Sequence, residues 1–201
     1  DMDVPFLMGT ICRAALATKT RILLSRSMIR GAAVHSAVAQ SLLRDAATAV
    51  TAAATAADSS PSDSMCLKLS DLSAYVLLVD ELPHNLILPR CCAAIVHGGI
   101  GHVLSCLSNG CPLLVTPCYG DHFSWAEAVQ EAGYGPPPIP ATKLSQEKLE
   151  SALIALRERP CYSAAASKAK HMLMAAPRGV DLAVAHIYRH LPPARSESEG
   201  Q

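Results

Sequence analysis

Between Ala93 and Pro140 the chain reads AAIVHGGIGHVLSCLSNGCPLLVTPCYGDHFSWAEAVQEAGYGPPPIP, and this stretch restricts the possible folds more than any other. An apolar run, Ala93 to Val96, enters His97-Gly98-Gly99-Ile100-Gly101 and then a helix-like segment. A second apolar run, Pro112 to Pro117, leads to Gly120-Asp121-His122 and a second helix carrying Trp125. Short apolar runs alternating with helices imply parallel βαβ units with right-handed crossovers. In open sheets of this kind, ligands bind at the strand ends. Glycines after a strand let the backbone approach a phosphate, and the helix N-terminus behind them favours negative charge.

The flanking sequence extends the pattern. Phe6 to Thr18 reads as a helix, with Leu7, Ile11 and Ala15 on one face, and Arg21 to Ser25 as a strand. Ala32 to Asp58 is dominated by Ala, Val and Thr, and Ser59 to Ser64 is a polar linker, so 31–65 is expected to be a low-complexity Ala-rich insertion. Tyr75 to Val79 is the next strand and Pro83 to Arg90 a turn or short helix. Ala93 to His97 is a strand, Gly101 to Ser108 a helix closed by Asn109-Gly110, and Pro112 to Thr116 a strand. A helix over Ser124 to Ala132 ends at Gly133, and Pro136 to Pro140 is stiff and extended. Helices follow at Ser145 to Arg157 (Ser145 as N-cap), Ser163 to Met174 and Gly179 to His190. The expected organisation is the start of a domain at 1–30, the insertion at 31–65, a binding core at 66–192 and a disordered tail at 193–201.

Bulk properties set the limits. A chain of 201 residues can bury one good-sized core. Its formal net charge is zero, which gives no reason to expect nucleic acid as a partner. The eight cysteines (Cys12, Cys66, Cys91, Cys92, Cys106, Cys111, Cys118 and Cys161) include no C-x-x-C and no zinc spacing. They read as buried thiols of a reducing compartment. No run is apolar and long enough to span a bilayer, and no signal-peptide order occurs at the N-terminus. A cytoplasmic protein follows, with peripheral membrane contact as an option. The chain starts at Asp1 rather than Met, which suggests a fragment.

Several motifs stand in one register: Leu78-Val79-Asp80-Glu81-Leu82-Pro83-His84 followed by Leu88-Pro89-Arg90, the HGG-x-G turn at His97 to Gly101, Pro117-x-x-Gly120-Asp121-x-x-x-Trp125, and Gly133-x-Gly135-Pro136. Together they resemble the C-terminal, nucleotide-sugar-binding half of GT-B glycosyltransferases. The likeness is greatest to sterol 3-beta-glucosyltransferases and to the bacterial enzymes that glycosylate antibiotics. It is good from about Tyr75 to Leu156 and fainter from Ala164 to Leu191 and at Arg21 to Ser25. The resemblance implies an α/β fold with a Rossmann-like parallel sheet flanked by helices. It implies UDP-sugar as co-substrate, with neither cofactor nor metal. A sterol or other lipid alcohol would be the acceptor, held by a domain this chain lacks.

The resemblance also implies roles. His97 would contact the diphosphate, to which an imidazole N–H can donate; a lone histidine at a strand end is otherwise simply a satisfied one. Gly98, Gly99 and Gly101 would let the N–H groups of Ile100 to His102 reach the phosphates; they also read as plain turn glycines. Asp121 and His122 would bond the donor sugar's hydroxyls; the other reading of Asp121 is an N-cap of the Ser124 helix. His84 would border the nucleoside, and Asp80 and Glu81 could be solvated turn residues. Trp125 reads as packing behind the loop.

The sequence also departs from the family. His102 replaces a small hydroxyl residue and His122 replaces Gln. Ser25-Arg26-Ser27-Met28-Ile29 lacks the Trp that lies beside the base; stacking of this kind contributes about 1–3 kcal/mol in single-strand nucleic-acid sites. The catalytic base, expected from the N-terminal half, has no candidate here. Two functions follow: the donor half of an inverting hexosyltransferase, with glucose as the expected sugar, or a degenerate, non-catalytic relative serving as an interaction module. A dehydrogenase-type domain fits poorly, because the glycine turn lies in the middle of the chain.

Overall fold

The computed structural model describes residues 4–25, 74–79 and 83–191. The expected insertion at 31–65, the loop Arg26 to Ile29, the pair Asp80 and Glu81, Cys66 and the tail at 193–201 lie outside the described residues. The chain runs from α1 (Val4–Thr18) into β1 (Ile22–Ser25), then β2 (Val76–Val79), α2 (His84–Ile87) and a 3-10 turn (Leu88–Arg90). It continues through β3 (Ala94–Val96), α3 (Ile100–Ser108), β4 (Leu113–Val115) and α4 (His122–Glu131). After a 3-10 turn (Ala141–Lys143) it closes with α5 (Gln146–Glu158), α6 (Pro160–Ala175) and α7 (Gly179–His190).

Each apolar run becomes a strand: β4 is buried along its length, whereas β1, β2 and β3 are only partly covered, with Leu23 and Leu77 exposed. β1 pairs parallel with β2, Ile22 opposite Val76 and Ser25 opposite Val79. β3 pairs parallel with β4, Ala94 opposite Leu113 and Val96 opposite Val115. Side chains alternate between faces along a strand, and the packing follows. Leu114, with Ala93 and Ile95, meets Met8, Ile11 and Ala14 of α1 and Leu149, Leu153 and Leu156 of α5. Leu113 and Val115, with Ala94 and Val96, meet Val103 and Leu107 of α3, Ala126 and Val129 of α4 and Ala169 of α6. The result is three layers, α/β/α. α1 also covers the first ladder, through Cys12 and Ala15 against Val76. Arg157 ties α5 to the end of α1 by donating from Nη1 to the Thr18 carbonyl at 2.8 Å.

The open edge of β4 is taken by the segment after α4. Leu113 N–H donates to the Tyr134 carbonyl, Ile139 N–H to Val115 and Ala141 N–H to Pro117, each at 3.1 Å. Pro136, Pro137 and Pro138 have no N–H to give, which suits an outer edge. Gly135 lies so close that a Cβ there would meet the Leu113 carbonyl. Only a residue without a side chain fits.

Helix ends moved from their expected places for local reasons. α4 begins at His122, two residues before Ser124, because Asp121 already has helical backbone angles. α6 begins at Pro160 rather than Ser163, with proline in the first turn, where its missing N–H costs nothing. Ser145 caps α5 as expected, its Oγ accepting from Lys148 N–H at 3.4 Å.

The expectation of uniformly buried thiols needs correction. All seven described cysteines are free. Cys12, Cys106 and Cys111 are buried, Cys91 is half-buried, and Cys92, Cys118 and Cys161 are exposed. Only those on sheet-facing helix surfaces, or leading into β4, are covered. Burial pushes the Cys12 thiol up to about 11 and the Cys106 and Cys111 thiols up to about 12. Among the described residues no helix is long and apolar enough to cross a membrane.

Candidate functional site

β3 and β4 end side by side, and their ends are bonded together. Thr116 N–H donates to the Val96 carbonyl at 2.8 Å, and Thr116 Oγ1 to the same oxygen at 3.3 Å. The chain leaves β3 through His97 and β4 through Pro117 to Asp121, so α3 and α4 both start at this rim. Gly98 makes the turn at φ +101°, and a Cβ there would lie 2.9 Å from the His122 carbonyl oxygen and 3.0 Å from Val115 Cγ1. The turn therefore rests directly on the start of α4. Gly99 is the N-cap residue of α3. Ile100 and Gly101 follow at its first two positions, where helix N–H groups have no partner within the helix. The expected reach of N–H groups as far as His102 shortens here, because His102 N–H donates to the Gly99 carbonyl at 2.9 Å.

The turn gathers histidines. His97 folds back over Gly99, its Nε2 2.6 Å from where a Cβ would stand. Its ring centroid is 4.8 Å from that of His102, in the first turn of α3, and 4.7 Å from that of His122. His84 of α2 stands 5.5 Å from His102 on the other side. The four rings thus run in contact as His84–His102–His97–His122, and Tyr119 extends the row, 4.4 Å from His122. Burial, then the proximity of His102 and His122, hold His97 below the usual histidine value. Desolvation, then His84, does the same to His102. Both are therefore harder to charge than an ordinary histidine.

Asp121 and His122 part ways. Asp121 is exposed at the rim. It occupies the N-cap position of α4, yet its side chain caps no backbone N–H. Its Oδ2 instead accepts from Trp125 Nε1 at 3.2 Å, leaving the other carboxylate lone pairs for hydroxyl donors. Trp125 is 37% exposed, so it braces Asp121 from the surface rather than packing behind the loop. His122 is buried, and its Nδ1 has no hydrogen-bond partner.

All nine expected site residues, His84, His97, Gly98, Gly99, Ile100, Gly101, His102, Asp121 and His122, fall at this one rim. Tyr119, 71% exposed, was not singled out from the sequence. An aromatic two residues after a strand-ending proline was the available signal. Among the described residues, no group of three or more His, Cys, Asp and Glu is arranged to hold a metal ion. The arrangement offers helix-end N–H donors and imidazoles to an anion, with a carboxylate acceptor beside them for hydroxyls.

Comparison with known proteins accords with this geometry. Residues 61–187 match the family described as erythromycin biosynthesis protein CIII-like, C-terminal domain. The chain is 38% identical over 124 residues to the sterol 3-beta-glucosyltransferase UGT80B1 of Arabidopsis thaliana, covering 62% of this chain and 20% of that protein. It is 33% identical over 116 residues to the UDP-sugar-dependent glycosyltransferase 52 of Dictyostelium discoideum, covering 58% of this chain and 7% of that protein. The chain thus spans about a fifth, or less, of the curated relatives it matches. Among solved structures, the glycotransferase of kitacinnamycin is 26% identical at a TM-score of 0.55, over 63% of this chain and 32% of that one. The glycosyltransferase VinC, solved in complex with DTDP, shares the fold at a TM-score of 0.56 and 24% identity, over 85% of this chain and 41% of its own. These neighbours are GT-B glycosyltransferases.

Proposed function

The chain belongs to the erythromycin biosynthesis protein CIII-like C-terminal domain family, and from that membership we propose that it is the donor-binding half of a UDP-sugar-dependent glycosyltransferase. The observation that carries this reading is the convergence of His97, the α3 N-terminus and Asp121 at the adjoining ends of β3 and β4. The first-turn N–H groups of Ile100 and Gly101 and the His97 imidazole face the diphosphate. Asp121, braced by Trp125, accepts from the sugar hydroxyls. In the complete enzyme the acceptor hydroxyl oxygen attacks the anomeric carbon and the bond from that carbon to the diphosphate oxygen breaks. The bonding electrons leave with UDP, the hydroxyl proton passes to a base outside this chain, and the anomeric centre inverts. The α3 N-terminus stabilises the charge arriving on the leaving group. Glucose as the sugar and a sterol or other lipid alcohol as the acceptor are supported by the names of the plant relatives.

Calorimetric titration of the chain with UDP-glucose tests the reading. Binding in the range of roughly micromolar to millimolar is expected, and it should be lost in the His97→Ala, Asp121→Ala double variant. A folded chain that gives no binding heat overturns it. One observation favours a second reading, a non-catalytic relative: His122 is buried and so is not presented to sugar hydroxyls where it lies. Absence of binding would leave that reading standing.

A further inference from the structure

The row of four imidazoles has no counterpart in a plain phosphate-binding turn, and its setting is unusual. His84, His102, His97 and His122 lie in successive ring contact across three elements and the β3 end. The groups facing His97 and His102 are His84 from α2, His122 from the start of α4, and Tyr119 from the loop after β4, which reaches the row through His122. Asp121, on that same loop, is engaged at Oδ2 by Trp125, and Arg90, beyond α2, donates from Nη1 to the Leu86 carbonyl at 3.2 Å. No carboxylate of the described residues contributes to the electrostatics of either imidazole. His97 and His102 resist charging, because burial and then their neighbouring imidazoles disfavour an added proton. It also contains a buried ring nitrogen, His122 Nδ1, with no partner. An anion set on the α3 N-terminus removes the obstacle, because its charge offsets the repulsion between neighbouring imidazolium groups.

We propose that His102, backed by His84, is a second phosphate-binding imidazole beside His97, and that a nucleoside diphosphate binds here with uptake of protons onto these rings. This rests on the donor-site reading above and adds to it a residue and a coupling. The direction follows from the ligand-free state, in which burial and neighbouring imidazoles hold both rings below the usual histidine value. A bound diphosphate favours their charged forms, so affinity rises as pH falls and the complex holds more protons than the free chain.

The test uses UDP-glucose, whose diphosphate is fully ionised throughout the range, so only the protein titrates. Calorimetry at pH 7.5 in two buffers of different ionisation enthalpy reads proton uptake directly, and titrations from pH 8 to pH 6 read the affinity. We expect net uptake and a Kd about tenfold tighter at pH 6 than at pH 8, one proton per tenfold per pH unit being the limiting slope. His102→Thr should keep binding at pH 8, lose about half of the uptake and flatten the pH dependence to about threefold. His171→Gln, on the exposed face of α6, should behave as the parent. UDP-glucose binding without uptake, or full uptake retained in a folded His102→Thr chain, overturns this inference and leaves the donor site intact. No binding at any pH by a folded chain removes the donor site and this inference with it.

Discussion

Gly98 and Gly101 belong to the same short motif, yet the structure asks different things of them. Gly98 has φ +101°, and an added Cβ would stand 2.9 Å from the His122 carbonyl and 3.0 Å from Val115 Cγ1, neither of them the end of a flexible side chain. Gly101 opens onto free space within α3. Gly98→Ala should therefore cost about 1–3 kcal/mol through backbone strain and displacement of the α4 start. Gly101→Ala should be neutral or stabilising by up to about 1 kcal/mol, while obstructing a phosphate over the turn. Urea midpoints separate the two, and equal stability losses would refute the distinction. The motif was legible as glycines after a strand. Which glycine bears the fold and which faces a ligand was not, because that depends on α4, more than twenty residues on. His122 teaches the same lesson. Read beside Asp121 it shared a role, but one residue along a helix start rotates the side chain by about 100°, from the rim into the interior.

At the scale of elements, a helix buries one face, and its thiols report which. Cys12 lies on the sheet side of α1 and Cys106 on the inner face of α3, whereas Cys161 sits in the outward first turn of α6. Sequence context alone had placed most of them in apolar surroundings. Apolar neighbours in the sequence mark a helix, not the direction in which one residue of it points. The reactive species is the thiolate. With thiols pushed up to about 11 or 12, Cys12, Cys106 and Cys111 have almost none at pH 7.5 and are covered as well. Iodoacetamide labelling of the native chain, mapped by mass spectrometry, should modify Cys92, Cys118 and Cys161 at least tenfold faster than Cys12, Cys106 and Cys111. The difference should vanish in denaturant. Equal native rates would mean that the helix faces are wrongly assigned. Element ends were legible where a cap or glycine marks them, as at Ser145 and Gly133. They shifted where a proline or a helical Asp121 allowed an earlier start.

At the scale of the whole molecule, the alternation of apolar runs and helices already contained the α/β/α layering. The row of imidazoles, by contrast, joins residues 84, 97, 102 and 122, and no local pattern links them. Only the parallel crossover that sets β3 beside β4 brings His97 and His122 together. That juxtaposition has a consequence for stability. In the unfolded chain His97 and His102 return to about 6.5, whereas in the folded chain both lie lower. Between those values the unfolded state binds more protons than the folded one. Stability therefore rises with pH through this window and is lost as pH falls through about 6.5, the reverse of a histidine stabilised by a carboxylate. A chain carrying His97→Gln and His102→Thr lacks this loss but keeps every carboxylate. Its urea midpoint should fall less between pH 7.5 and pH 5.5 than that of the parent. Saturating UDP-glucose, by charging the rings within the complex, should shrink the parent's acid sensitivity as well. Parallel pH profiles for parent and variant would show that the imidazoles do not share one environment. The proton-coupled site and the acid-sensitive fold would then have to be abandoned together, because both rest on the same contact between the ends of two strands.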